Sequence, residues 1–169
     1  MLTLSEIRLS IDTAIPRWAP QLHVASSGIN AVAALKALAC NESDYGARWS
    51  ASRHEPAYCY GGRYYRNDAN LRNLSIVWGC SAHESWGVWQ IMYVTAFELG
   101  YRDDPVRLRV PEVSIEYVVR LVNKRTLDRI MDCTPEDVAD AYNTGQARDG
   151  IDNPKYVADF MEHYRRLTA

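Results

Sequence analysis

Apolar residues recur at helical spacing along most of this 169-residue chain, and between about Ser50 and His83 they stop doing so. That interruption constrains the fold more than any single motif. Helices with one apolar face each must pack on one another, and the aperiodic stretch must be carried as an insertion among them. Thr3-Leu4-Ser5-Glu6 is a capping-box pattern, and Leu4, Ile7, Ile11, Ala14 and Ile15 then share a face until Pro16, where the first helix is expected to end. A second helix is expected from about Ser27 to Ser43, with Ala31, Leu35, Leu38 and Ala39 as its apolar stripe and Gly46 as its stop. Beyond the insertion, Val88, Ile91, Met92, Thr95, Ala96 and Leu99 repeat at helical spacing, closed by Gly100. Pro111 suits the first turn of a helix carrying Ile115, Val118, Val119 and Val122 toward Ile130. Thr134-Pro135-Glu136-Asp137 combines an N-cap, a proline at the first position and acidic first-turn residues, and predicts a helix through Tyr142. Asn153-Pro154 opens the last one, in which Val157, Phe160, Met161 and Tyr164 share a face before Arg165-Arg166.

Within the insertion, Tyr58-Cys59-Tyr60, Gly61-Gly62 and Arg63-Tyr64-Tyr65 follow one another. Two aromatic runs around a Gly-Gly pair predict a β-hairpin, with Tyr58, Tyr60, Tyr64 and Tyr65 alternating between its faces. The expectation is a mainly α single domain over residues 1–169, with a small β-hairpin in an inserted segment at 50–83. A chain of this length that is 47% apolar can bury one core and is short for two.

The formal net charge is −2 and charged residues make up 24%, so no general attraction to nucleic acid or an anionic membrane exists. Arg63, Tyr64, Tyr65, Arg66 and Arg72 could form a stacking and phosphate-binding patch, a reading the overall charge opposes. Met1 to Pro20 carries Glu6, Arg8 and Asp12 among its apolar positions, which predicts neither a signal peptide nor a spanning helix. Cys40, Cys59, Cys80 and Cys133 form no C-x-x-C pair and read as buried free thiols, or as one or two disulfides in an oxidising compartment. His54-Glu55 and His83-Glu84 lack the second histidine of H-E-x-x-H, so no metal and no cofactor is expected.

Glu42 follows Leu38 and Ala39 by four and three residues, which on a continuing helix places it at the edge of the apolar stripe. Burial and the negative end of the helix dipole both favour its protonated form. A carboxyl group that keeps its proton near neutral pH can protonate the leaving oxygen of a glycosidic bond. A glutamate at a helix end is more often a solvated surface residue, so its neighbours in sequence must decide.

Ala39-Cys40-Asn41-Glu42-Ser43-Asp44-Tyr45 resembles the E-S-x-aromatic block that opens the catalytic domain of soluble lytic transglycosylases, relatives of goose-type lysozyme. Ser85-Trp86-Gly87-Val88-Trp89-Gln90-Ile91-Met92, followed by Thr95-Ala96, resembles that family's S-x-G-L-M-Q-I-M-P-x-T-A block. Ala141-Tyr142-Asn143-Thr144-Gly145 is similar to its A-Y-N-x-G motif, and Pro154-Lys155-Tyr156-Val157 to its late Y-V segment. The four occur in the family's order, from about Leu35 to Met161. Val88 and Trp89 replace Leu-Met, and Tyr93 stands where proline is common. The stretch from Ser52 to Ala82 is longer than in the simplest members and is similar to that of phage-associated ones.

The resemblance implies a lysozyme-like fold and a single acid-base glutamate, Glu42. It would cleave the β-1,4 bond between N-acetylmuramic acid and N-acetylglucosamine of peptidoglycan, helped by the substrate's 2-acetamido group. Attack by the muramyl 6-hydroxyl gives a 1,6-anhydro sugar and a lytic transglycosylase, whereas attack by water gives a muramidase. The resemblance places Gln90 and Met92 along the cleft and Tyr142 near the acid; their alternative is helix packing. Asn143 and Gly145 are read mainly as helix-terminating residues, and Ser85 either donates to the sugar or caps the helix that follows. Glu55 and Glu84 are the other carboxylates that a two-carboxylate glycosidase would need, with Arg53 and the tyrosines favouring Glu55. The partners implied are peptidoglycan strands, and without an export signal the enzyme would reach the wall through a phage, a virion or a secretion machine. An inactive wall-binding virion or secretion-apparatus protein, and a chitin-cleaving relative, remain the competing readings.

Overall fold

Thr3 and Glu6 cap the first helix reciprocally: the Glu6 amide donates to Thr3 Oγ1 at 3.3 Å, and Glu6 Oε2 accepts from the Thr3 amide at 2.7 Å. The computed structural model describes residues 3–48, 52–129, 131–145 and 153–169. In chain order these form α1 (Leu4–Trp18), α2 (Ala31–Ser43), β1 (Ser52–His54), α3 (Arg63–Asn67), α4 (Ala69–Trp78), β2 (Glu84–Trp86), β3 (Ile91–Met92), α5 (Tyr93–Glu98), α6 (Pro111–Arg125), α7 (Pro135–Thr144) and α8 (Pro154–Thr168), joined by short 3-10 turns. The described chain is mainly helical, with one small three-stranded antiparallel sheet. No helix among the described residues is long and apolar enough to cross a membrane.

The helices with local start signals begin where those signals stand. Asn153 Oδ1 accepts from the Tyr156 amide at the start of α8, Thr134 and Asp137 form a capping box at α7, and Pro111 opens α6. Their ends are less predictable. α1 continues past Pro16 to Trp18, because a proline in the last turn removes one hydrogen bond while the buried Ile11 and Ile15 keep that turn packed. α2 starts at Asn30, whose side chain accepts from the Ala33 amide, and not near Ser27, which belongs to a 3-10 turn. It ends at Ser43, where expected, with Asp44 and Tyr45 in the left-handed region directly ahead of Gly46. α6 ends at Arg125, where the Thr126 hydroxyl donates back to the Val122 carbonyl; Ile130 lies outside the described residues. α7 runs to Thr144 and Gly145 stops it at φ 110°.

The expected hairpin around Gly61-Gly62 is not formed. Pro56–Tyr58 is a 3-10 turn and Arg63–Asn67 is α3, so the tyrosines do not alternate along strands. Tyr58 stacks on Tyr64 with ring centres 4.6 Å apart, and Tyr60 lies 4.8 Å from Tyr65. Gly62 explains the tight reversal: a Cβ there would sit 2.4 Å from the Ala57 carbonyl oxygen. α4 also falls inside the stretch read as aperiodic. Asp68 caps it by accepting from the Leu71 amide, and Leu71, Leu74 and Ser75 face the core.

The strands lie at the borders of the insertion instead. β1 pairs with β2 through Ser52↔Trp86, Arg53↔Ser85 and His54↔Glu84, and β2 with β3 through Ser85↔Met92 and Trp86↔Ile91. The helix expected from Val88 is therefore only Tyr93–Glu98, and Gly87 to Gln90 form a turn. Gly87 sets that turn, since a Cβ on it would stand 2.2 Å from the Leu108 carbonyl oxygen. The fully buried Trp89 pins it to α2 by donating from Nε1 to the Leu35 carbonyl at 3.1 Å. α2 packs against α8, α7 and α1, and its last turn, Cys40 to Ser43, runs from half-buried to buried. The thiols are not all buried: Cys133 is, Cys80 is exposed, and Cys40 and Cys59 are half-buried.

Candidate functional site

Because α2 packs against other helices, the side chain in its last turn cannot reach bulk solvent freely. Glu42 is half-buried, with its carboxyl group on the floor of a cleft of about 350 Å³. Desolvation pushes its pKa up to about 7, and the negative charge of Glu55 adds to that shift. The Tyr156 hydroxyl, which donates to Glu42 Oε1 at 2.7 Å, and the charge of Arg53 act the other way and are outweighed. The carboxyl group thus changes charge near neutrality.

Tyr156 is placed by two contacts at the start of α8, the Asn153 cap on its amide and the Asn41 Nδ2 donation to its carbonyl at 3.2 Å. Burial, with Glu42 and Tyr142 beside it, raises its pKa well above the ordinary tyrosine value, so it keeps its proton and always presents a donor to Glu42. Tyr142, on α7, is also buried and protonated, through desolvation first and the Glu42 charge second. Its hydroxyl donates to the Trp89 carbonyl at 2.5 Å, which holds the 87–90 turn against α7.

Gln90 ends that turn at φ 48°, a left-handed conformation that a non-glycine residue rarely adopts. Its Nε2 donates to the Gly87 carbonyl at 2.8 Å, and its Oε1 lies 3.0 Å from Ser85 Oγ. Ser85 is on β2 and caps no helix, which corrects one of its two expected roles. Only 1% exposed, its hydroxyl lies within reach of Gln90, Glu55 Oε1 at 3.2 Å and the Arg53 carbonyl at 3.5 Å, and so braces the wall. Glu55 is ion-paired with Arg53 at 2.6 Å. Met92 on β3 and Asn143 on α7 complete the group, Asn143 accepting from Asn153 Nδ2 at 3.0 Å.

All seven residues singled out in the sequence, Glu42, Glu55, Ser85, Gln90, Met92, Tyr142 and Asn143, line this one cleft. Glu84, on the neighbouring strand position, does not line it, and of the four tyrosines only Tyr58 does. Arg53, named in the sequence only as a neighbour of Glu55, also lines it, as do Tyr156 and Arg125, which were given no role. Tyr156 stood inside a quoted motif, so its signal was present; Arg125 had none beyond being a basic residue in a last helical turn.

Among the described residues no group of three or more His, Cys, Asp or Glu side chains is arranged to hold a metal ion. His54 Nε2 lies 3.0 Å from the Cys59 thiol, and His83 Nε2 lies 2.7 Å from Ser75 Oγ. No family model, curated protein or solved structure matches the chain.

Proposed function

We propose that this cleft cleaves the β-1,4 bond between N-acetylmuramic acid and N-acetylglucosamine in peptidoglycan, as a lytic transglycosylase with a lysozyme-like fold. The observation that carries the reading is the Glu42 carboxyl group, kept protonated by burial up to about pH 7 on the floor of an open, polar cleft. Such a group donates its proton to the glycosidic oxygen as the C–O bond breaks. The carboxylate left behind is held by the Tyr156 hydroxyl and takes the proton from the attacking 6-hydroxyl of the same muramyl residue, which closes the 1,6-anhydro ring and returns Glu42 to its starting form. Proton and bond counts balance without water.

Glu55 favours a second reading. It is a second carboxylate lining the same cleft, fixed by Arg53 and Ser85, and a carboxylate so placed can orient a water for attack on the sugar. The enzyme would then be a muramidase with the same acid. In either case its partner is the glycan strand and its place of action the bacterial wall.

Digestion of purified peptidoglycan, with mass spectrometry of the released muropeptides, separates these readings. Anhydro ends from the parent protein and none from Glu42→Gln are the expected result. Hydrated reducing ends would assign the muramidase, and an intact wall with correctly folded protein would overturn cleavage and leave the wall-binding alternative.

A further inference from the structure

Arg125 is the last residue of α6, and its half-buried side chain lines the cleft. Nη1 donates to the carbonyls of Ala141 and Tyr142, each at 2.9 Å, which closes part of the open end of α7. A guanidinium has five N–H donors, and those of Nε and Nη2 bind no protein group among the described residues. No carboxylate forms an ion pair with it among those residues either. Burial pushes its pKa down, with only Tyr142, Tyr58 and Glu98 working against that. Gly145 packs beside the group: a Cβ there would stand in van der Waals contact with it, 3.7 Å from Nη2 and 3.9 Å from Nε.

The other charges of the cleft cancel or vanish. Arg53 is paired with Glu55, and Glu42 is neutral below about pH 7. In a chain of net charge −2, the described residues therefore give the cleft one desolvated positive charge with spare donors. Guanidinium forks bind carboxylates through paired hydrogen bonds, and a partly dry site strengthens them.

We infer that Arg125 binds a carboxylate of the ligand and makes the cleft select an acidic glycan over a neutral one. The inference rests on the glycan-cleaving reading above and names what that reading leaves open, the basis for choosing peptidoglycan over chitin. A muramyl residue brings the anion in one of two ways. In a bare strand the lactyl carboxylate is free; in a stem-bearing strand the lactyl group is an amide and the peptide supplies the carboxylates. A polymer of N-acetylglucosamine has none.

Calorimetric binding to the full chain carrying Glu42→Gln, which prevents turnover, tests this. The probes are a bare tetrasaccharide of alternating N-acetylglucosamine and N-acetylmuramic acid, the same tetrasaccharide with peptide stems, and each with its carboxyl groups converted to amides. The acid form should bind about 10- to 100-fold tighter than its amide, the range a charge-assisted hydrogen bond contributes. Adding Arg125→Gln should remove that ratio, and Arg125→Lys should retain part of it. A ratio seen with the bare strand assigns the lactyl group, and one seen only with the stems assigns the peptide. Equal binding of acid and amide before Arg125 is changed overturns the inference without relying on how the variants fold, as does a preference that survives Arg125→Gln. Wall digestion by the unaltered protein reads cleavage separately, so a carboxylate preference without digestion would uphold this inference while overturning the proposed activity.

Discussion

The Tyr156 hydroxyl donates to Glu42 Oε1 at 2.7 Å, joining the last turn of α2 to the first turn of α8 across 114 positions of sequence. This contact stabilises the charged carboxylate, whereas burial disfavours it by more, and the balance leaves the carboxyl group titrating at about 7. A donor that steadies the conjugate base without lowering the acid out of the neutral range is suited to a residue that gives a proton and takes one back. The two effects separate in the variants below.

Glu42→Gln should abolish wall cleavage and stabilise the fold at neutral and alkaline pH. The folded pKa of about 7 lies above the ordinary value of 4.5, so between these values the folded protein holds a proton that the unfolded chain has released. Stability contributed by that proton is complete below pH 4.5 and is lost as pH rises through 7, by on the order of 3 kcal/mol. Gln keeps the shape without the titration. Urea unfolding of both proteins at pH 4 and pH 8 checks this: the gain should be present at pH 8 and nearly absent at pH 4, and equal gains at both would contradict the buried-acid account.

The pH dependence of wall cleavage follows from the same group. As a general acid Glu42 must be protonated in the free enzyme, so kcat/KM should fall about tenfold per pH unit above roughly 7. Turbidity assays from pH 5 to pH 9 at constant ionic strength measure it. A fall beginning near 4.5 would mean that the acting carboxyl group is solvent-exposed, and another residue would have to be the acid.

Tyr156→Phe removes the hydrogen bond that favours the ionised form. The Glu42 pKa should rise further, shifting the alkaline limb of the profile upward by on the order of one pH unit. The rate on the plateau should fall, because the carboxylate formed in the first step loses its donor. An unshifted limb with an unchanged plateau would reduce Tyr156 to a packing residue.

Residues whose conformation is set by near neighbours in sequence were the legible ones. The caps at Thr3, Thr134 and Asn153 and the opening proline at Pro111 act within one helical turn, so the helices start where the sequence signals stand. The stretch Val88, Ile91, Met92, Thr95 has helical spacing but crosses a turn and a strand, because its conformation is settled by Leu108 and Leu35, far away in sequence, and by the pairing of Met92 with Ser85. Inside the insertion, the tyrosine-rich run masked an ordinary helix signal, the Asp68 cap followed by Leu71, Leu74 and Ser75. Among the cleft residues, Glu42, Gln90 and Tyr142 stood in motifs, whereas Arg125 enters only because α6 ends beside α7.

The turn that presents Gln90 depends on Gly87, whose φ is 71° and whose missing side chain admits the Leu108 carbonyl. Gly87→Ala would set a Cβ 2.2 Å from a backbone oxygen, in a conformation that alanine also disfavours. The backbone cannot yield as a flexible side chain would, so either the 105–109 turn moves away or the 87–90 turn rotates. Both displace Gln90 and loosen the Tyr142 hydroxyl from the Trp89 carbonyl. The expected result is destabilisation of roughly 2–4 kcal/mol, measured by urea unfolding, together with a loss of activity larger than the unfolded fraction explains. Gly28→Ala serves as the control, since nothing lies within 4 Å of a Cβ there although its φ is also positive, at 86°. If the two alanine variants lose equal stability, backbone preference alone accounts for the effect, and the close approach of Leu108 does not set the geometry of the cleft wall.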